Sequence, residues 1–277
     1  CIIVSLEDFT MNKIVGFIGC GNMGSAMMKG MVSSGIITSD QLWVADAFAE
    51  SFEKIKDLHA HTTLDNKEVV KHADILILSV KPYMYEPVIS NIKDCFKENV
   101  IVVAIAAGKT MAQLKYMCGV DTKIVRVMPN TPAMVQEGMS ALVKDNLVTE
   151  EEMNEIVSIF NSFGKAEIIK EDLMDAVVAV SGSSPAYVYM FIEAMADAAV
   201  AQGMPRAQAY KFAAQAVLGS AKMVLETGMH PGALKDNVCS PGGTTIDAVM
   251  ELEKTGFRAS VMQAMKVCAE KSKEMSK

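Results

Sequence analysis

The chain has 277 residues, of which 51% are hydrophobic, so it can bury one large core or two medium ones. Its formal net charge is −7 and its basic residues form no dense cluster, which argues against nucleic-acid binding. The longest apolar runs, such as residues 100–107, are too short to cross a bilayer, so we expect no membrane partner.

Residues 1–10 (CIIVSLEDFT) precede Met11, which has the context of a natural start. The segment is too short and too acidic for a signal peptide, and we interpret it as an extension outside the fold. The six cysteines are scattered without C-x-x-C spacing, a pattern typical of free thiols in a reducing compartment. The four histidines form no ligand pattern. We therefore expect a cytoplasmic protein without a metal ion.

Strands alternate with helices through the first part of the chain. Continuous β-branched runs such as DILILSV (74–80) are typical of parallel strands buried on both faces. This alternation predicts an α/β fold with an N-terminal Rossmann-type doubly wound sheet. Strands are predicted at 13–18, 41–46, 74–80, 99–106, 123–127, 139–143 and 166–169, and helices at 23–33, 50–58, 65–72, 84–95, 110–118 and 150–163.

The pattern becomes almost wholly helical after Ile169. Helices are predicted at 172–202, 205–227 and 257–275, and the first two are rich in alanine, which allows helices to approach closely. This change divides the chain into a dinucleotide-binding domain at 11–170 and an all-α domain at 171–277. A neighbouring subunit or the first domain must cover the apolar surface of the helical part, and we expect an oligomer.

The segment GFIGCGNMG places a G-x-G-x-x-G motif between a strand and a helix, the context of dinucleotide-binding folds. Gly19 permits a tight turn, Gly21 allows a pyrophosphate to approach the backbone, and Gly24 allows the helix to pack on the strand. Asp46 follows 22 residues after Gly24, at the end of the second strand. A carboxylate there accepts hydrogen bonds from a ribose and repels a 2′-phosphate, which favours NADH over NADPH.

Two further strand ends, SVKP (79–82) and IAAG (105–108), fall where ligands of open α/β sheets bind. Lys81 fits either a cofactor or substrate contact or a solvated surface lysine. In MPNTP (128–132), Asn130 fits either a cofactor contact or a turn.

The late segment NVCSPGGTTIDAV (237–249) has the composition of a loop that leads into a helix at Thr244 or Thr245. Its glycines expose backbone N–H groups, and the helix start adds a positive dipole end that suits a carboxylate. Ser, Thr and Pro-Gly-Gly are equally typical of an ordinary helix start, so the residues alone leave both interpretations open.

Taken together, GFIGCGNMGSAM, SVKP, AIAAG, VRVMPNTPAMVQEG, SGSSPAYVYMFIEAMADAAV, GMPRAQA and HPGALKDNVCSPGGTTIDAVMELEKTGFR resemble the pyrroline-5-carboxylate reductase family, from Met11 to the C-terminus. The resemblance implies a Rossmann domain followed by a helical dimerisation domain that intertwines with a second subunit. The family's dimers often assemble into decamers. It also implies reduction of L-1-pyrroline-5-carboxylate to L-proline, the last step of proline biosynthesis, with NADPH or NADH.

The resemblance also assigns residues. It implies that Thr245 is catalytic, through a hydroxyl that reaches the ring nitrogen of the substrate. The implied substrate-binding residues are Glu171, Asn237, Ser240, Gly243, Thr244 and Thr245. With Asp46, the cofactor-binding residues are Ile18, Gly19, Cys20, Gly21, Asn22, Met23, Gly24, Asn66, Val80, Lys81, Pro82, Ile105, Ala106 and Ala107.

The chain departs from the family pattern at two places. Ser184 stands where many members have glycine before Pro-Ala-Tyr, and ADAFAES follows the second strand where members often have polar or basic residues. The second departure leaves the choice between NADPH and NADH open.

Two other functions compete with this interpretation. A β-hydroxyacid dehydrogenase shares the layout but needs a lysine with an asparagine four residues later on a long helix, which neither Lys211 nor Lys222 provides. A non-enzymatic nucleotide sensor would bind the cofactor without turnover, and the complete substrate loop argues against it.

Overall fold

A computed structural model of the protein describes residues 11–276. These residues form two compact units, one reaching to Gly182 and including the segment from Ala269, the other spanning Ser183–Cys268. The predicted extension at 1–10 lies outside the described residues. The boundary after residue 170 stays a prediction.

The first unit contains an eight-stranded sheet in the order β3-β2-β1-β4-β5-β6-β7-β8. Every neighbouring pair is parallel except β6 and β7, which are antiparallel. The carboxyl ends of β1 to β6 therefore share one edge. The strands are Val15–Ile18, Leu42–Ala45, His61–Thr63, Ile75–Leu78, Ile101–Ala104, Lys123–Met128, Gly138–Lys144 and Gly164–Ile168, from β1 to β8.

The central strands form because their residues are apolar on both faces. Each residue of β1, β4 and β5 is buried, as expected for strands covered by helices on both sides. Phe17 and Ile77 point to one core, while Ile18 and Leu78 point to the other. The sheet thus separates two hydrophobic cores and holds the strand ends rigidly.

Helices cover both faces of the sheet, as the doubly wound prediction requires. Residues of α1 and α5 pack in the core around Phe17, and residues of α2, α3 and α4 pack in the core around Leu78. The helices of this unit are Asn22–Ser33, Asn66–His72, Tyr85–Ile92, Met111–Cys118, Glu150–Asn161 and Met174–Val177, from α1 to α6.

The second unit is helical. Its elements are α7 (Ser184–Ala201), α8 (Arg206–Thr227), α9 (Pro231–Val238), α10 (Thr244–Lys254) and α11 (Phe257–Met275), the last of which ends in the first unit. Helix α7 packs against α8.

The structure departs from the sequence prediction at several elements. The predicted helix at 50–58 is a run of 3₁₀ turns, Ala49–Leu58, whose only buried residue is Ile55, so packing does little to favour α geometry. The helical stretch predicted at 172–202 restarts at SGSSPAY, as Pro185 indicates, because α7 begins there with this proline in its first turn. The π-helical segment that precedes it, Val178–Gly182, was not predicted. Strand β3 and helix α9 were not predicted.

Exposed apolar side chains are abundant in the second unit. Between Ser183 and Cys268, a range that the structure describes in full, the buried residues are three alanines, at 196, 209 and 213. Met190, Phe212 and Leu225 are 69%, 67% and 83% exposed in the single chain. Among the described residues, no helix is both long and apolar enough to cross a membrane.

We expect Gly30→Ala to lower the free energy of unfolding by about 2 kcal/mol, because the new methyl group overpacks the core. A Cβ on Gly30, inside α1, would lie 2.5 Å from the Cβ of Phe163, which is fully buried. Urea denaturation measures the change. Lys29→Ala, at an exposed position of the same helix, is the control and should change stability by no more than about 0.5 kcal/mol. Equal stabilities of the two variants would contradict this packing.

Candidate functional site

The loop between β1 and α1 has the close packing of a dinucleotide-binding turn. Gly19 has φ of +104°, and its N–H donates to the Ala45 carbonyl at 2.8 Å. A Cβ on Gly19 would lie 2.5 Å from the Ser79 carbonyl oxygen, and one on Gly24 would lie 2.7 Å from the Gly19 oxygen. A Cβ on Gly21 would meet no atom within 4 Å. The loop is therefore packed on one side and open to a ligand at Gly21.

Helix α1 begins at this loop without a capping side chain. Gly21 is its N-cap, and it has no side chain that could accept from the first N–H groups. The first N–H groups and the positive end of the helix dipole are thus available to an anion. Ile18 ends β1, Cys20 lies inside the turn, and Asn22 and Met23 begin the helix. This cradle fits the pyrophosphate of a dinucleotide cofactor.

Asp46 follows β2 directly and is fixed by two backbone bonds. Its Oδ2 accepts from the Cys20 N–H at 2.7 Å, and its Oδ1 accepts from the Phe48 N–H at 3.0 Å. Burial, together with the nearby Asp46 charge, raises the pKa of the Cys20 thiol to about 11. Cys20 is therefore a protonated packing residue, while its backbone ties the glycine loop to the carboxylate.

The other predicted cofactor residues lie along the same edge of the sheet. Asn66 begins α2, just after β3. Leu78 and Ala104 form the last pair between β4 and β5, and the two predicted cofactor segments begin within two residues of them. The side chain of Lys81 is exposed at the start of a short 3₁₀ helix. The segments are Val80, Lys81 and Pro82, and Ile105, Ala106 and Ala107.

Sequence reasoning missed two buried polar side chains near this edge, Tyr85 and Arg126. The Tyr85 hydroxyl bonds to backbone groups of both β4 and the segment after β5. Arg126 lies within β6 with a side chain only 6% exposed. Neither residue belongs to a recognisable motif, because their partners are distant in the sequence.

Glu171 is the partner of Arg126. Its Oε1 accepts from Arg126 Nη1 at 2.9 Å and from the Met111 N–H at 2.7 Å. Met111 is the first residue of α4, so the carboxylate also lies at a helix start, where the dipole favours a negative charge. Glu171 thus joins β6 and α4.

Asn130 acts as a clasp between chain segments. Its Nδ2 donates to the Ser181 carbonyl at 3.0 Å, and its Oδ1 accepts from the Met139 N–H at 2.8 Å. Both ends of the amide are used by backbone groups, which supports the turn role over a cofactor contact.

The second unit carries the other five predicted substrate residues, from the last turn of α9 to the first turn of α10. Gly242 has φ of +65°, and the Gly243 N–H donates to the Ser240 carbonyl at 3.0 Å. Gly243 is the N-cap of α10, and no side chain of the described residues caps the helix there. The prediction of a helix starting at Thr244 or Thr245 is confirmed, because α10 begins at Thr244.

This loop offers donors without strong acids or bases. The hydroxyls of Ser240, Thr244 and Thr245 lie within six residues of one another, beside free N–H groups of the first turn. Asn237 belongs to the last turn of α9. A carboxylate fits such a start, and a hydroxyl can both donate to and accept from a nitrogen.

In the part of the chain that the structure describes, no group of three or more His, Cys, Asp or Glu side chains could hold a metal ion. The cysteines among the described residues are free thiols, at positions 20, 95, 118, 239 and 268.

Two family models match the chain. Residues 171–275 match "Pyrroline-5-carboxylate reductase dimerisation", and residues 14–108 match "NADP oxidoreductase coenzyme F420-dependent". The first match covers the helical part and the second covers the glycine loop and the first strands.

Full-length relatives agree with these matches. Pyrroline-5-carboxylate reductase of Escherichia coli (strain K12) is 55% identical over 96% of this chain and 100% of its own length. The enzyme of Methanosarcina acetivorans is 45% identical over 96% of this chain and 99% of its own. A crystal structure of Plasmodium falciparum pyrroline carboxylate reductase with NADP bound is similar at a TM-score of 0.88 and 36% identity, over 97% of this chain and 100% of that one.

We expect Glu171→Ala to lower the free energy of unfolding by about 2 kcal/mol, because it leaves the buried Arg126 guanidinium without its carboxylate. Glu167→Ala removes the same charge from an exposed position of β8 and should cost no more than about 0.5 kcal/mol. Guanidinium denaturation of both variants measures the difference. A Glu171→Ala variant as stable as the control would show that the ion pair contributes nothing to folding.

Proposed function

The chain belongs to the pyrroline-5-carboxylate reductase family, and from this premise we propose how its own residues reduce L-1-pyrroline-5-carboxylate to L-proline with NADPH or NADH. The observation that carries the proposal is a pair of helix starts without capping side chains. Helix α1 begins after Gly21 and helix α10 begins after Gly243. Each presents backbone donors to an anion, and the reaction brings two anions, the cofactor pyrophosphate and the substrate carboxylate.

We assign the cofactor to the carboxyl edge of the sheet. The loop Ile18–Gly24 binds the pyrophosphate, while Asp46 and Asn66 contact the adenosine side. Val80–Pro82 and Ile105–Ala107 line the nicotinamide half, and Glu171 lies near the cofactor and substrate pocket. The common edge of β1 to β5 and the open space at Gly21 support this assignment.

We assign the substrate to the loop before α10. The first-turn N–H groups and the Ser240 hydroxyl bind the carboxylate, with Asn237, Gly243 and Thr244 completing the loop. The Thr245 hydroxyl contacts the ring nitrogen, accepting from it when protonated and donating to it when it carries a lone pair.

The chemistry needs positioning more than a strong base. When bound, the reduced nicotinamide supplies the hydride that ends on the imine carbon. The ring nitrogen ends with one added proton, and a protonated imine is already a good acceptor. The residues of the chain therefore orient the imine carbon, fix the carboxylate and present a hydroxyl to the nitrogen.

The region that matches a dimerisation family indicates an oligomer, and we propose a homodimer with intertwined helical domains that assembles into a decamer. The exposed apolar side chains of the second unit support association. We also propose a boundary after residue 170, since the matched region begins at residue 171. The free thiols support a cytoplasmic location.

The named relatives argue against both competing functions. A protein 55% identical over its whole length is named a pyrroline-5-carboxylate reductase, which favours neither a β-hydroxyacid dehydrogenase nor a sensor. Oxidation of NADH and NADPH that depends on pyrroline-5-carboxylate tests the proposal directly. Cofactor binding without turnover would favour the sensor.

We expect Thr245→Ala to lower kcat at least about tenfold, because the ring nitrogen loses its hydrogen-bond partner. The Kd for NADH, measured by fluorescence, should stay within about twofold, since the cofactor loop is unchanged. Thr245→Ser should restore most of the rate. Thr255→Ala, at the far end of α10, is the control. An unchanged kcat in Thr245→Ala would remove Thr245 from the catalytic role.

We expect the wild-type chain to prefer NADH, because the fixed Asp46 carboxylate would face the 2′-phosphate of NADPH. Asp46→Asn removes the charge and keeps a single side-chain oxygen, which can accept only one of the two backbone bonds. It should raise the ratio of NADPH to NADH kcat/KM by about tenfold. The Kd values for both cofactors should change in the same direction.

Asp40→Asn, which removes an equal charge at an exposed position, controls for net charge. A wild-type preference of about tenfold for NADPH, or an unchanged ratio in Asp46→Asn, would contradict the role of Asp46.

A further inference from the structure

The two strand ends assigned to the nicotinamide half separate directly after their last pair, Leu78 and Ala104. The side chain of Tyr85 lies at this point. Tyr85 is the first residue of α3 and is completely buried, and its ring packs in the core together with Leu78 and Ala104. A fully buried hydroxyl therefore lies just beneath the place where the sheet opens.

All the hydrogen-bonding capacity of this hydroxyl is used by the two strand ends. Tyr85 Oη donates to the Leu78 carbonyl at 2.7 Å, and it accepts from the N–H groups of Ile105 at 3.0 Å and Ala106 at 3.1 Å. A phenol has one donor hydrogen and two acceptor lone pairs, so none remains free. Burial raises the pKa of the Tyr85 hydroxyl well above its usual range, and the donor hydrogen is thus retained.

The same connection continues to the glycine loop. Ser79, which follows Leu78, donates its N–H to the Ile18 carbonyl at 2.8 Å. The Ser79 carbonyl oxygen would lie 2.5 Å from a Cβ on Gly19, so the two segments touch. A continuous path of hydrogen bonds and backbone therefore runs from Ala106 through the Tyr85 hydroxyl, Leu78 and Ser79 to the pyrophosphate loop.

We propose that Tyr85 is a positioning residue whose hydroxyl sets the distance between the segment Ile105–Ala107 and the glycine loop, and thereby places the nicotinamide for hydride transfer. This role rests on the proposed function, because that function assigns Val80–Pro82 and Ile105–Ala107 to the nicotinamide half. The adenosine half is bound elsewhere along the edge, at Asp46 and Asn66. Loss of the hydroxyl therefore affects one end of the cofactor more than the other.

Tyr85→Phe keeps the ring in the core and removes only the three hydrogen bonds. The freed N–H groups of Ile105 and Ala106 then need other partners, and the segment shifts to find them. Hydrogen exchange measured by NMR should show these two amides exchanging at least about tenfold faster, with the amides of β1 unchanged. Tyr116→Phe removes a hydroxyl from a side chain that is 88% exposed and is the matched control.

The decisive measurement compares two probes of the cofactor site. Calorimetry with ADP-ribose, which lacks the nicotinamide, should give the same Kd within about twofold for wild type and Tyr85→Phe. The Kd for NADH should rise by about fivefold or more, and kcat should fall by about tenfold, while the KM for pyrroline-5-carboxylate stays within about twofold. Measurements well below the melting temperature of the variant ensure that only folded protein contributes.

Each of the following outcomes would contradict a specific part of the proposal for Tyr85. Faster exchange with unchanged kcat and NADH Kd would make Tyr85 a structural residue only. Unchanged exchange at Ile105 and Ala106 would show that the hydroxyl does not hold them. Equal weakening of ADP-ribose and NADH would mean that the whole cofactor site is disturbed. If wild type binds NADH but does not reduce pyrroline-5-carboxylate, the proposed function fails, while the exchange and binding experiments still decide the role of Tyr85.

Discussion

Helix starts that lack side-chain caps are the feature on which the candidate site depends. Helices α1 and α10 both begin after a glycine, Gly21 or Gly243, where serine, threonine or aspartate would ordinarily bond to the first turn. Helices α2, α4, α5 and α9 are capped by a side chain, as Thr149 caps α5 through its hydroxyl, whereas α3, α6, α7 and α8 also lack such a cap. A glycine at these two positions provides no capping side chain, so the helix start is less stable in the ligand-free protein. The same glycine makes the N–H groups available to ligand anions.

The glycine loop has its shape because the sheet beneath it is tightly packed. Gly19 and Gly24 approach Ser79 so closely that a methyl group on either would overlap it. Ser79 in turn extends from β4, whose residues are completely buried between the two cores. Packing on both faces of the sheet therefore determines the position of the glycine loop, which is the proposed binding site of the cofactor phosphates. The bonds of Asp46 to the Cys20 and Phe48 backbones add a second constraint from the neighbouring strand.

Local sequence predicted the elements whose formation depends on local patterns. Continuous apolar runs identified the central strands, and the glycine motif and the Pro-Gly-Gly loop identified both helix starts. Strand β3 was missed because its residues, HTT, are polar and lie at the sheet edge. The break before α7 depends on Pro185, which lacks an N–H and fits only the first turn of a new helix. The hydrogen bonds of Tyr85 and the Arg126–Glu171 ion pair could not be predicted, since they join segments that are distant in the sequence and adjacent only in the folded chain.

The helical unit holds the proposed substrate loop and most of the region that matches a dimerisation family. Its few buried residues are alanines, each of which contributes little apolar area, so the hydrophobic stabilisation of this unit within a single chain is small. The loop before α10 belongs to this unit. The positions of Ser240 and Thr245 are therefore fixed only as well as the packing of α9 and α10 fixes these helices. Covering the exposed side chains of α7, α8 and α11 with a second copy supplies the missing burial. With the proposed dimer and the proposed substrate loop, dimerisation would stabilise the same helices that present the substrate donors, and loss of the interface would loosen the loop before it affected the sheet.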